Sequence, residues 1–216
     1  MRPVAGILLA AGQGSRIGQP KALIDVGGEP LAARGVALLH DGGASPVIVV
    51  TGATAVDLTG VITVHNPDWR TGMGSSLRAG LATAPEQCAA AVVALVDQPL
   101  VGPEAVRRLI AAFQAGASVA VAAYDGQPRN PVLLGREHWP EVMALATGDA
   151  GARTFLRARP ELVTLVECGD TGRPDDIDTR ADLDRVAGLL GTPAVSDDGI
   201  TSHGVTGSGA GFPSDA

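Results

Sequence analysis

The chain has 216 residues, 45% of them hydrophobic and 18% charged, a length that at roughly 150 residues per domain predicts one folded unit with a full α/β core. Its mean hydropathy of +0.21 comes from scattered Ala, Val and Leu, and no stretch reaches the ~18 consecutive apolar positions of a membrane-spanning helix. A net charge of −7, 3% aromatic residues and no basic stripe exclude non-specific nucleic-acid binding, and two isolated cysteines, Cys88 and Cys168, exclude zinc and iron–sulfur chemistry and fit free thiols in a reducing compartment.

In chain order, Met1-Arg2-Pro3 leads straight into the apolar run Val4 to Ala11, which ends in a glycine-rich loop rather than a cleavage site. It reads as a first strand and not a signal peptide, so a soluble cytoplasmic protein is expected. Strand-type runs cover Ala5–Ala10, Pro46–Thr51, Val61–His65, Ala91–Val96, Val119–Tyr124, Val132–Leu134 and Leu162–Glu167. Helical patterns alternate with them at Pro30–His40, Ser75–Ala84, Pro103–Ala115, Ala150–Arg159 and Thr179–Leu190. Strands apolar on both faces, separated by amphipathic helices, predict a mostly parallel sheet covered on both sides. Pro103 fits a first helical turn, Asp149 a cap for the helix from Ala150, and Gly42-Gly43 a stop for the helix from Pro30. Residues 192–216 contain 17 Gly, Ser, Thr, Asp or Pro and no Lys or Arg, too little apolar surface to offset ordering. The expected division is a folded unit over 1–191 and a disordered tail over 192–216.

The segment Leu8-Leu9-Ala10-Ala11-Gly12-Gln13-Gly14-Ser15-Arg16-Ile17-Gly18-Gln19-Pro20-Lys21 carries the strongest chemical signal. A buried strand enters a loop with three glycines, two cations and no acidic residue. Glycines let backbone N–H groups approach an anion, and Arg16 and Lys21 neutralise it. Position 17 is Ile, so the dinucleotide fingerprint G-x-G-x-x-G fails; Walker A fails from both Gly12 and Gly14. Of the 16 basic residues, 15 are Arg and one is Lys; a GC-rich genome accounts for the Arg bias, and the alternative for the surviving Lys21 is a position that needs a compact ammonium. Asp97 ends an apolar run, where a carboxylate suits Mg²⁺ on triphosphate oxygens; Asp178 precedes the last helix and also fits a helix cap. The four histidines are scattered, with no Ser/His/Asp or Cys/His constellation.

Leu9-Ala10-Ala11-Gly12-x-Gly14-Ser15-Arg16-x-Gly18-x-Pro20-Lys21 resembles the signature of the MobA-like molybdenum-cofactor nucleotidyltransferases. The resemblance continues at Asn66-Pro67-Asp68-Trp69-Arg70-Thr71-Gly72-Met73-Gly74-Ser75-Ser76-Leu77, Asp97-Gln98-Pro99, Arg129-Asn130-Pro131, Gly148-Asp149-Ala150-Gly151-Ala152-Arg153 and Asp176-Ile177-Asp178-Thr179. It implies a Rossmann-like three-layer α/β sandwich, the nucleotide-diphosphosugar-transferase fold. It implies nucleotide binding by Leu9, Ala10, Ala11, Gly12, Gly14, Ser15, Arg16, Lys21, Gly74, Ser75 and Ser76, with Arg16, Lys21 and Asp97 catalytic. Mg²⁺ would sit on Asp97 and Asp178, with Asp176 as the alternative second ligand, and a molybdopterin-type acceptor on Arg129, Asn130, Pro131, Asp149 and Arg153.

The implied reaction is attack of the acceptor's terminal phosphate on the α-phosphorus of a nucleoside triphosphate. A phosphate monoester has its second pKa at about 6, so no strong general base is needed. In this family guanine users tend to read Leu-Ala-Gly-Gly and cytidylyltransferases Ala-Ala-Gly. Ala10-Ala11-Gly12, with Asn66-Pro67-Asp68 and Asp176-Ile177-Asp178-Thr179, therefore resembles the CTP branch, whose product serves molybdenum hydroxylase apoenzymes. GTP as donor, a sugar or alditol phosphate as acceptor, and a non-catalytic cofactor carrier are the alternatives.

Overall fold

The first apolar run forms β1, Val4–Leu9, with every residue buried. The computed structural model describes residues 2–191, so the tail over 192–216 and His203 lie outside the described residues. The remaining strands are β2 (Val47–Thr51), β3 (Ile62–His65), β4 (Ala90–Leu95), β5 (Val119–Tyr124), β6 (Gln127–Gly135) and β7 (Val163–Glu167). They form a seven-stranded sheet of order β3-β2-β1-β4-β6-β5-β7. Only β6 runs against its neighbours: β4 and β5 both pair with it antiparallel, and every other pairing is parallel.

The helices are α1 (Leu31–Asp41), α2 (Met73–Thr83), α3 (Pro103–Gln114), α4 (Trp139–Leu145), α5 (Arg153–Ala158) and α6 (Arg180–Leu189). Alternation along β1 assigns them to two layers. Val4 and Leu8 point into a core with Leu39 of α1, Leu109 of α3 and Val186 of α6. Ala5, Ile7 and Leu9 point the other way, toward Leu81 of α2, Val142 of α4 and Phe155 of α5. The result is the three-layer α/β sandwich expected from the alternating pattern.

The differences from the sequence pattern have local causes. β6 extends well beyond the apolar stretch Val132–Leu134, because exposed Gln127 to Arg129 continue the hairpin from β5 through Asp125-Gly126. The helix α4 was not expected: it is seven residues long with Pro140 in its first turn, which reads as a breaker until its place at N1/N2 is known. Asp149 does not cap α5. It lies in a 3-10 turn at Gly148–Ala150, and α5 begins only at Arg153, because Gly151 at φ +54° breaks the path between them.

β1 sits between β2 and β4, parallel to both, while the chain itself passes from β1 to β2. That makes the gap between β1 and β4 a topological switch point. Ligands in open α/β sheets bind beyond the carboxyl ends of such strands. Both the glycine-rich loop after β1 and Asp97 after β4 open there.

Candidate active site

The loop after β1 is tied down at its root and open at its crest. Ala10 N–H donates to the Val50 carbonyl at 2.9 Å, and Ala53 N–H donates to the Ala11 carbonyl at 3.0 Å. Leu9, Ala10 and Ala11 are buried, so they can offer a ligand little but backbone. Gly12, Gln13, Ser15 and Arg16 are exposed. Between them Gly14 turns the chain with φ +63°, and a Cβ there would stand 2.1 Å from the Gln19 carbonyl oxygen. The N–H groups of Ile17 and Gly18 both donate to the Gly14 carbonyl at 2.9 Å. This tight turn delivers Lys21 to the mouth of the switch point.

There Lys21 Nζ donates to Asp97 Oδ2 at 2.7 Å and to Asp178 Oδ1 at 2.6 Å. Burial acts to lower the lysine pKa, but the two carboxylates outweigh it and hold the ammonium above its ordinary value. Arg16 Nη1 lies 4.0 Å from Asp178 Oδ2, with its side chain 75% exposed. Residues from three parts of the chain thus meet on one nitrogen.

The carboxylates are themselves positioned. Ile177 N–H donates to the Asp97 carbonyl at 2.9 Å, fastening the 174–178 segment to the end of β4. Buried Gln98 extends the fastening, its Nε2 donating to Asp176 Oδ1 at 2.8 Å. Desolvation pushes the Asp176 carboxyl up and the Gln98 hydrogen bond pulls it down, while the charges of Asp97 and Asp178 push it up again, so the net shift is upward. Asp178 is not a helix cap: Thr179 caps α6 in a capping box with Asp182, whose Oδ2 also accepts from Asp178 N–H at 3.2 Å. The hydrogen bond with Thr179, then that with Arg185, holds the Asp182 carboxyl at about 2. Its stabilising contribution is complete above the unfolded value near about pH 4 and disappears as pH falls toward about 2. Unfolding of the Asp182→Asn variant beside the wild type across that range should show a stability gap that narrows with acid; a constant gap would contradict the assignment.

The donor set fits a divalent cation shared with a substrate. Asp97 Oδ1 is buried without a hydrogen-bond partner, and two carboxylates converge on one point. Among the described residues no group of three His, Cys, Asp or Glu could hold a metal alone. One or two carboxylates plus substrate phosphates is the ordinary way proteins hold Mg²⁺.

On the same sheet edge, the helix α2 follows its N-cap Gly72, which has φ +110°, and is braced by a buried polar knot. Asn66 Nδ2 donates to Ser75 Oγ at 2.8 Å and Ser76 Oγ at 3.0 Å, its Oδ1 accepts from Asp68 N–H at 3.0 Å, and Ser75 Oγ donates to the Gly72 carbonyl at 2.9 Å. The two serine hydroxyls are therefore engaged within the protein. Replacing Asn66 by Ala takes from Ser76 its Asn66 partner, while Ser75 keeps the Gly72 carbonyl, so Asn66→Ala should lose about 1–3 kcal/mol of stability in denaturant titration; a loss below about 0.5 kcal/mol would show the knot to be dispensable.

The acceptor candidates are only partly gathered. Asp149 comes against the start of α2: a Cβ on Gly72 would stand 2.8 Å from Asp149 Oδ1, and one on Gly74 would meet the Ala146 carbonyl at 2.6 Å. The antiparallel register, Val93 opposite Val132, carries Asn130 and Pro131 to the same sheet edge as Asp97. Arg129 is exposed and bonds its neighbour, the Pro128 carbonyl; Arg153 is exposed at the start of α5. Asn66, Gln98 and Asp182 were not among the residues expected at the site. For Asn66 and Gln98 the signal was a polar side chain just past an apolar strand, and both are among the buried polar residues of those described; Asp182, inside α6, carried no such signal.

A phosphate-type loop, a lysine between two aspartates and a switch-point crevice define a nucleotidyltransferase. The family model described as the MobA-like NTP transferase domain matches residues 6–163, and the chain belongs to that family. It is 39% identical to the nicotine blue oxidoreductase of Paenarthrobacter nicotinovorans, over 82% of this chain and 92% of that protein. It is 36% identical to the molybdenum cofactor guanylyltransferase of Xanthomonas euvesicatoria, over 52% of this chain and 57% of that protein. Its fold is similar to that of Rv0371c from Mycobacterium tuberculosis in complex with manganese, at 26% identity and a TM-score of 0.67, covering 86% and 98% of the two chains.

Proposed function

We propose that this nucleotidyltransferase moves CMP from CTP to the terminal phosphate of a molybdopterin-type acceptor, releasing pyrophosphate. The convergence of Lys21, Asp97 and Asp178 beneath the loop is the observation that carries the reading. The loop amides and Arg16 hold the β- and γ-phosphates, and Lys21 balances charge developing at the α-phosphate. An acceptor phosphate oxygen forms the new bond to the α-phosphorus as the bond to the β-phosphate oxygen breaks. A Mg²⁺ ion on Asp97 and Asp178 would supply charge neutralisation across the triphosphate. The acceptor class is supported by the family and by the guanylyltransferase relative, and CTP by Ala10-Ala11-Gly12. Arg129, Asn130, Pro131, Asp149 and Arg153 are proposed to hold the acceptor, and a molybdenum hydroxylase apoenzyme to receive the product. The proposed setting is cytoplasmic; among the described residues no helix is long and apolar enough to cross a membrane.

A second reading has one observation behind it, the relative named an oxidoreductase. It would place a redox reaction in the same crevice, and the failure of the dinucleotide fingerprint at Ile17 argues against it. Purified protein is tested anaerobically with molybdopterin and Mg²⁺ against CTP, GTP, ATP and UTP for pyrophosphate release. A parallel arm follows oxidation of reduced nicotinamide, used as a general electron donor, with a dye as acceptor. Release with CTP alone is expected. Release with GTP instead keeps the mechanism and overturns the base, and nicotinamide turnover without release replaces the proposal by the second reading.

A further inference from the structure

We infer that Lys21 is the resident counter-cation of the Asp97–Asp178 pair, and that a divalent cation enters only as an arriving triphosphate draws the ammonium away. Metal and nucleotide binding are then one coupled event. The inference rests on the metal assignment of the proposed function and adds to it an exchange made by the chain's own side chain.

The geometry supplies both halves of the exchange. The ammonium takes one oxygen of each carboxylate, at 2.7 and 2.6 Å, with the lysine side chain 15% exposed, that of Asp97 20% and that of Asp178 48%. A divalent ion binding the same oxygens would meet the ammonium as a like charge within a few ångströms, on the shielded Asp97 side of a half-open site, so the two cations compete. The second resting place is close. Lys21 belongs to the phosphate loop itself, its backbone nitrogen 3.2 Å from where a Gly14 Cβ would be. A flexible four-carbon stem can swing from the carboxylates to a phosphate on that loop.

Arg16 is exposed at the margin of the pair and leaves the central position to Lys21. The choice of lysine also follows from the exchange. This chain uses Arg at 15 of its 16 basic positions and Lys at this one. A guanidinium would grip the two carboxylates with a rigid fork, whereas a compact ammonium can let go. The buried Asp97 Oδ1, without a partner, is an acceptor that the lysine leaves unused.

The test is Mn²⁺ binding to the full chain, read by electron paramagnetic resonance with no acceptor present. Mn²⁺ held by free nucleotide is measured separately and subtracted. Without nucleotide, Lys21→Met should bind Mn²⁺ at least tenfold more tightly than the wild type. A non-hydrolysable CTP analogue should tighten Mn²⁺ binding strongly in the wild type and at least tenfold less in the variant. Equal or weaker Mn²⁺ binding by a folded Lys21→Met, its fold checked by circular dichroism, overturns the inference. Should that variant not fold, the wild type decides: coupling is reciprocal, so Mn²⁺ and analogue affinities that are independent of each other overturn it too. Absence of protein-bound Mn²⁺ with analogues of any of the four triphosphates would instead remove the metal assignment on which the inference stands.

Discussion

Asp97→Asn is expected to lower kcat/KM by about a thousandfold while leaving the fold intact, the loss typical when a charge-stabilising group is removed from a transfer site. The substitution keeps the side-chain volume, and the backbone bond from Ile177 N–H to the Asp97 carbonyl does not depend on the carboxylate. The lost charge is the one that Lys21 meets at 2.7 Å and whose other oxygen lies buried without a partner. Pyrophosphate release measures the activity, and circular dichroism with thermal melting measures the fold. Turnover at the wild-type rate in the folded variant would remove Asp97 from the reaction.

The second large effect belongs to Gly14. An alanine there adopts a left-handed backbone at φ +63°, and its Cβ would stand 2.1 Å from the backbone oxygen of Gln19. A backbone atom cannot rotate aside as a side-chain tip can, so the 14–21 turn must open and Lys21 must move with it. Strain of this kind costs about 1–3 kcal/mol, and misplacing a charge-balancing group by an ångström costs about a further hundredfold in rate. Gly14→Ala should therefore lose at least about a hundredfold in kcat/KM with the sheet preserved. Gly12→Ala, where a Cβ meets nothing within 4 Å, should retain folding and Lys21 placement. Equal activities of Gly14→Ala and wild type would show that the turn does not position Lys21.

The layers of the fold were legible because strands apolar on both faces alternate with amphipathic helices, and because Gly42 and Pro103 stop and start helices where such residues do. The helix α4 and the length of β6 were not legible. α4 has too few residues to show a period, and the outer part of β6 is polar and held by its hairpin partner.

In the site, Lys21 and Asp97 stood out by composition and by place. Asp178 did not, since an aspartate before a helix reads equally as a cap. Three-dimensional proximity separated the roles, giving the cap to Thr179 and Asp182 and the lysine to Asp178. For Ser75 and Ser76, which the resemblance places at the nucleotide, the fold adds a buried partner, Asn66, that holds both hydroxyls.

The most direct test follows the α-phosphate itself. CTP labelled at that position is incubated with the protein, Mg²⁺ and molybdopterin without oxygen, and the products are separated. The account predicts label in a nucleotidyl-molybdopterin product, formed with one pyrophosphate per transfer and absent in Asp97→Asn. Label that remains in CTP, or that appears in the acceptor equally with Asp97→Asn, would contradict transfer at the Lys21–Asp97–Asp178 centre.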